Sequence, residues 1–380
     1  MNAETLAGLQ RELGGLGRPY QTGDVAVALR RMGIVVSHSV LLEVLDQLRR
    51  NSLGAGPLEG LLREPGVSDV VVNGMEGVFV DRGSGLEPAP VSFGSDEEVR
   101  RLAIRLAAAA GRRLDDSQPF VDGRLPGGVR LHAVLAPVAS PGTSLSLRVP
   151  AAQSLRLADL LERGTLTTEM LCLLGEVVDH RVPYLISGGT GSGKTTLLAA
   201  MLATIAPRER IVIVEDAREL TPDHPHCVRL EGRPANTEGV GAITLTALVR
   251  QALRMRPDRL VVGEVRGAEL ADLLAALNTG HEGGCGTIHA NSLADVPARL
   301  EALGALGGLD RVACHAQAVA ALRLVIHIHR RPDGQRVVTD IGVVTRGETG
   351  LEVLPALSIT PEGQRRGPGA RALDTLLGRS

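Results

Sequence analysis

The sequence predicts a largely parallel α/β domain preceded by a smaller α+β domain and a short helical segment. Three observations carry that expectation. From residue 182 onward, strand-like runs alternate with helical ones, the pattern of a parallel sheet covered by helices. Between residues 56 and 150, short β-like runs dominate instead, and a chain of 380 residues exceeds what one hydrophobic core usually organises.

Taken in order, residues 1–55 read as helical, with apolar residues at 3.6-type spacing in "VAVALRRMG" and "SVLLEVLDQLRR", and "NSLGAGP" breaks the pattern. In the 56–150 domain, "VSDVVVNG" and "GVFVDR" form strands joined by an Asn-Gly turn. Ser95-Asp96-Glu97-Glu98 is a capping box ahead of a helix whose stripe is Val99, Leu102, Leu106 and Ala110. "GVRLHAVLAP" and "SLSLRV" add strands. Residues 151–181 are expected as a polar, helix-leaning connector. The 182–350 domain alternates "PYLISG", "RIVIVED", "RLVVGEV" and "GCGTIHA" with "KTTLLAAML", "LTALVRQALRM" and "AELADLLAALN". Residues 351–380, rich in Gly, Pro and Arg, are expected to be a flexible tail.

Composition narrows the function classes. Hydrophobic residues make up 44% and aromatics 1%, so packing relies on Leu, Val, Ile and Ala. A net charge of -2 supplies no global field for nucleic acid or anionic lipid, and no specific nucleic acid is expected as partner. The four cysteines form no CxxC pair, which suits reduced thiols in the cytoplasm. "MNAETLAGLQRELGG" does not resemble a signal peptide, and no run approaches the roughly 18 apolar residues of a membrane span. The expectation is a cytoplasmic protein that reaches a membrane only through partners.

The chemistry is announced by "SGGTGSGKTTLL". Gly188, Gly193, Lys194 and Thr195 fit G-x-x-x-x-G-K-[ST], with a strand before and a helix after. In such a loop, Gly188, Gly189, Thr190, Gly191, Ser192 and Gly193 curl the backbone so that its N–H groups face phosphate oxygens, and the helix beginning near Lys194, Thr195 and Thr196 adds its positive end. Lys194 is the only lysine among 41 lysine and arginine residues. A guanidinium fork is too large and rigid for a loop closed around phosphate, so lysine persists where shape forbids arginine. A nucleotide is the expected ligand, and the Thr195 hydroxyl can ligate Mg²⁺; kinases, GTPases and motors share such a loop, so the loop alone does not choose among them.

Acids end two of the apolar strands. Glu215, with Asp216 and Glu219 close behind, and Glu264 fall where an open α/β sheet faces its ligand. Glu215 or Glu219 can polarise the attacking water, and Asp216 reads either that way or as a helix cap. Glu264 suits the role of organising Mg²⁺ and water. "TGHEGGCGTIHAN" sets His281 and His289 on either side of glycine-rich chain; a phosphate-sensing pair is favoured over core histidines, and a metal site with Cys285 least, because the glycines argue against a common helical face. Arg124, Arg130 and Arg148 lie near the end of the first domain, as candidate nucleotide contacts or ordinary strand residues.

Together these segments resemble the type II/type IV secretion and pilus ATPases, specifically the TadA/CpaF-like branch that assembles Flp pili. The resemblance runs from about Leu58 to about Arg330 and rests on "SDVVVNG", "DGRLPGGVRLHAVLAP", the phosphate loop, "VEDARELTPDHPH", "LVRQALRMRPDRLVVGEVRG" and "NTGHEGGCGTIHAN". It implies a RecA-like ATPase domain, a PAS-like first domain and a homo-hexameric ring acting on an inner-membrane platform protein. It implies that Lys194 and Thr195 hold phosphate and Mg²⁺, that Glu264 supports the metal, and that His281 and His289 couple phosphate to domain motion. Arg124, Arg130 and Arg148 are then the arginines that stabilise the transferring phosphoryl group. A retraction or DNA-uptake motor, or a nucleotide-dependent scaffold with little turnover, are the alternatives.

Overall fold

The computed structural model describes residues 9, 22–34, 36–37, 41, 44, 54–83, 85–150, 154–233, 235, 240–348, 350–360 and 363–379. Contacts divide the chain into two compact units, Met1–Ala152 and Gln153–Ser380. Of the expected N-terminal helices, "VAVALRRMG" falls in α1 (Thr22–Arg31), which buries Val25, Ala28 and Leu29; most of "SVLLEVLDQLRR" lies outside the described residues.

The first unit also holds a short helix α2 (Glu59–Arg63), a longer helix α3 (Asp96–Ala109) and six strands: β1 (Asp69–Asn73), β2 (Val78–Asp81), β3 (Leu86–Pro88), β4 (Phe120–Arg124), β5 (Arg130–Val134) and β6 (Ser144–Arg148). They form one sheet in the order β3-β2-β1-β6-β5-β4, every pairing antiparallel. One face is apolar: Val70, Val72, Val80, Leu131, Leu145 and Leu147 pack with Val99, Leu102 and Leu106 of α3. That alternation is what a half-buried sheet requires. At the start of α3, the Ser95 hydroxyl accepts from Glu98 N as the capping pattern predicts, but the Glu98 carboxylate accepts from Gly94 N rather than from Ser95.

The second unit is built on a nine-stranded sheet. Its strands are β7 (Tyr184–Ser187), β8 (Ile211–Glu215), β9 (Cys227–Glu231), β10 (Arg259–Val265), β11 (Cys285–Ile288), β12 (Leu324–Arg330), β13 (Arg336–Gly347), β14 (Gly350–Thr360) and β15 (Gly363–Arg366), in the order β15-β14-β13-β12-β7-β11-β10-β8-β9. From β12 to β9 the strands are parallel; β13, β14 and β15 extend the sheet antiparallel. Both faces are covered, so residues along a strand alternate between two cores. Ile211, Ile213, Leu324 and Ile326 join one, and Val212, Val214 and Val325 the other. This is why these strands read as continuous apolar runs. Helices α4 (Leu157–Glu162), α5 (Thr168–Asp179) and α6 (Lys194–Leu202) contribute to the first core, and α7 (Leu245–Ala252), α8 (Glu269–Asn278), α9 (Val296–Leu306) and α10 (Arg311–Ala321) to the second.

Two stretches differ from expectation. The connector is part of the first of these two cores: α5 is capped by the Thr167 hydroxyl, which accepts from Met170 N, and buries Met170, Leu173, Leu174, Val177 and Val178. The stretch expected as a flexible tail carries regular structure: it supplies most of β14, β15 and a final helix α11 (Ala370–Leu376), and Leu373 and Leu377 are only 3% exposed. Its glycines, prolines and arginines are interspersed with residues that pack, Leu351, Val353, Ala356 and Leu357 on β14 and Ala370, Leu373 and Leu377 at helical spacing.

Candidate functional site

The site is assembled at the carboxyl ends of the parallel strands. Register fixes its order. Ser187 of β7 lies opposite Ile288 of β11, and Val262 of β10 opposite Val214 of β8, so the residues that follow these positions line one edge of the sheet. Across that edge come the 188–195 loop, His289, Glu264 and Glu215. Brought there from four separate stretches of sequence, they meet only because the strands are parallel and nearly level.

The loop closes on itself through glycine. Gly191 and Gly193 have φ of 69° and 99°, a region costly for other residues, and Gly193 begins α6. A Cβ at Gly188 would lie 2.3 Å from the Ile328 carbonyl and 2.6 Å from Ser192 Oγ. Lys194, 7% exposed, donates from Nζ to the carbonyls of Gly188 (3.0 Å) and Gly189 (2.9 Å) and sits 3.3 Å from His289 Nδ1. Burial lowers its pKa, opposed by the nearby Glu264 and Glu219 carboxylates. The Ser192 hydroxyl is buried without a partner among the described residues. A tight loop with an orphaned donor and a buried ammonium fits a polyphosphate, which would supply acceptors to both.

From Lys194 a chain of contacts runs across the strand ends. A protonated lysine can only donate, so His289 Nδ1 accepts, and its Nε2 lies in contact with Glu264 Oε1, a buried oxygen with no hydrogen-bond partner among the described residues. Burial and the adjacent ammonium hold His289 below the usual imidazole pKa, consistent with this neutral tautomer. Glu264 Oε2 accepts from Arg266 at 2.5 Å, and Arg266 reaches Asp216 at 3.4 Å. The result is an alternating row of ammonium, imidazole, carboxylate, guanidinium and carboxylate.

Glu215 stands apart from this row. It is 4% exposed, its Oε1 accepts from the amides of Glu219 (3.0 Å) and Leu220 (2.9 Å), and its Oε2 is buried with no partner among the described residues. Burial pushes its pKa up to about 7 despite those two bonds. Gly263 makes room for it: a Cβ there would lie 2.6 Å from Glu215 Cγ. Glu215 therefore fixes the turn after β8, and Glu219 is exposed on that turn. Thr195 is half-buried in the first turn of α6 and Thr196 is exposed there.

Other expected residues are not brought to this edge. His281 precedes β11 whereas His289 follows it, so the two lie at opposite ends of the strand. His281 instead caps α8, its backbone N–H and ring Nδ1 both directed at the Ala276 carbonyl. The pairing of the two histidines is thus corrected, as is any shared metal with Cys285, which is buried within the strand between them. Arg124, Arg130 and Arg148 belong to the first unit. Arg124 lies opposite Arg130, and Arg130 opposite Arg148, so three arginines stand abreast on the sheet face away from α3. Arg130 forms a two-pronged pair with Asp122 (3.1 and 3.0 Å), and Arg148 reaches Asp69 at 3.2 Å. Sequence reasoning missed Arg266 and Gly263 as site residues. Arg266 had a signal, a charge directly after an apolar strand and two residues past Glu264.

Comparison with known proteins places the chain among relatives. Residues 51–345 match the family model described as type II/IV secretion system protein. A putative conjugal transfer protein of Mycobacterium tuberculosis is 56% identical over 317 residues, covering 80% of this chain and 90% of the relative. The probable conjugal transfer protein TrbB of Sinorhizobium fredii is 34% identical over 310 residues, covering 80% of this chain and 91% of that one. The ATPase DotB of Legionella pneumophila shares the fold, with a TM-score of 0.52 at 21% identity over 75% of this chain and 78% of that one.

Proposed function

The chain belongs to the type II/IV secretion system protein family, and on that premise we propose that it is a motor that hydrolyses ATP to drive a secretion or pilus-assembly machine. It is an ATPase, and the observation that supports this most directly is the row from Lys194 through His289 to Glu264 and Arg266 beside a glycine loop shaped for phosphate. In this reading Lys194 exchanges the Gly188 and Gly189 carbonyls for the terminal phosphates of ATP, and Ser192 gains an acceptor. Thr195 and Glu264 would hold Mg²⁺ and its water shell, and the ion neutralises phosphate charge when bound. Glu264, held in place by Arg266, is positioned for that task. Glu219, exposed on the turn that Glu215 anchors, orients the attacking water. His289 links Lys194 to Glu264 and so registers whether phosphate has replaced the loop carbonyls.

Arg124, Arg130 and Arg148 supply positive charge to the phosphoryl group in the assembled ring. Their exposed pairs with Asp122 and Asp69 are weak enough to exchange for a polyanion. The ring is a homo-hexamer, works at the cytoplasmic face of the inner membrane and acts on a platform protein there. Among the described residues no helix is long and apolar enough to cross a membrane. Flp-type pilus assembly is the machine the sequence motifs favour. A conjugal transfer or type IV secretion machine is the second reading, favoured by what the relatives are named.

Phosphate release by the purified full chain tests the motor. Wild type should turn over ATP with Mg²⁺ and stop when the cation is chelated, and Lys194→Ala should abolish release. Equal rates in wild type and variant would refute the assignment.

A further inference from the structure

The β12–β13 hairpin carries charges that the reading above does not use. Strand β12 pairs with β7 as far as His327 opposite Ser187, then continues through Ile328, His329 and Arg330 after β7 has ended. Its antiparallel partner β13 begins at Arg336, directly opposite Arg330. This overhang runs alongside the phosphate loop, where the Ile328 carbonyl lies against Gly188. Arg336 Nε donates to the Gly191 carbonyl at 3.2 Å, and a Cβ at Gly193 would be 2.9 Å from Arg336 Cδ. The Arg330 guanidinium comes within 3.8 Å of where a Gly191 Cβ would stand.

An exposed bond from one arginine to a loop carbonyl stabilises little. Two guanidinium-bearing residues placed opposite each other across a strand pair concentrate positive charge at one point of the hairpin. Both adjoin the middle of a loop whose amides are built to receive a polyanion. We propose that Arg330 and Arg336 form a second wall of the nucleotide site and bind the polyphosphate of ATP and ADP from the side opposite His289 and Glu264. This rests on the nucleotide-binding reading above. It also gives Gly193 a second duty, since a side chain there would displace the Arg336 stem.

Equilibrium binding of ATP, ADP and AMP to the full chain by calorimetry, at low and high salt, tests the proposal. Arg330→Gln and Arg336→Gln should each weaken ATP and ADP by roughly tenfold, the value of one charge-assisted hydrogen bond, and the double variant by roughly a hundredfold. AMP should change by no more than about threefold, and the dependence of ATP affinity on salt should flatten because fewer charges meet the ligand. Arg336→Lys keeps the charge but not the Nε bond to Gly191, so it should retain most of the affinity. Unchanged ATP and ADP binding in the double variant would overturn the proposal, and so would an Arg336→Lys variant as weak as Arg336→Gln, which would mark a loop brace. Should the double variant not fold, the two single variants carry the same contrast. If wild type binds no ATP, or Lys194→Ala binds it equally well, the nucleotide reading itself falls and takes this proposal with it.

Discussion

The ends of β8 and β10 carry the same signal in sequence, an acid closing an apolar strand, and the structure gives the two acids opposite electrostatics. Glu264 meets Arg266 on one oxygen and the His289 ring on the other. Glu215 meets only neutral amides, on one oxygen, and its pKa is about 7. A guanidinium sits directly against the Glu264 carboxylate, whereas two amide dipoles do not offset the burial of Glu215, which is 4% exposed. Strand position thus tells where an acid will be, and the charge of its neighbours tells what it can do.

The sharpest break in that comparison is exchange of function. Glu264→Gln removes the carboxylate paired with Arg266 and should lower turnover by about a hundredfold or more, measured as phosphate release at saturating ATP. Glu215→Gln should lower it far less, because the amide oxygen still anchors the turn. Equal losses in the two variants would mean that Glu215 is the working acid and that its burial is not maintained during turnover.

Next in size is Gly263→Ala, which forces a methyl toward Glu215 Cγ and should destabilise the protein by about 1–3 kcal/mol in urea unfolding. No change would show that the Glu215 side chain has somewhere else to go.

The pH dependence of stability sharpens the contrast from the other side. Glu215 has a folded pKa raised from an ordinary 4.5 to about 7, so the stability linked to its proton is present below about pH 4.5 and lost as pH rises through about 7. Glu215→Gln, permanently neutral, should therefore melt higher than wild type at pH 8, by on the order of 1–3 kcal/mol, and converge with it toward pH 4.5. A constant difference across that range would contradict the raised pKa.

The smallest effect belongs to the histidines. His281→Ala should cost about 1 kcal/mol or less, the value of a cap on α8, in a melting curve. A loss of ATP affinity in that variant would place His281 back at the phosphate loop.

How much of this was legible in the sequence follows from how local each signal is. The phosphate loop was legible residue by residue, because Gly188 to Thr195 are contiguous and each fills a role set by neighbours in the chain. In the first unit β1, β2, β5, β6 and α3 were legible from alternation and capping, whereas α2, β3 and β4 were not. The tail was not, since β14 earns its place by pairing with β13, and no local pattern announces a partner strand. Within the site, His281 was misplaced because eight residues of separation cannot tell whether two histidines flank a strand or share an end. Arg336, which bonds Gly191 across 145 residues, had no signal at all.

By itself the sequence determined the glycine loop and the lysine inside it, because one lysine in such a loop is a matter of backbone conformation and short-range sterics. It also determined that two acids would sit at strand ends. Only the tertiary structure decided which of them meets a guanidinium, which histidine touches Lys194 and which arginines flank the loop. Those outcomes depend on strand order and register, which set through-space distances and burial, and neither quantity is a property of any one segment.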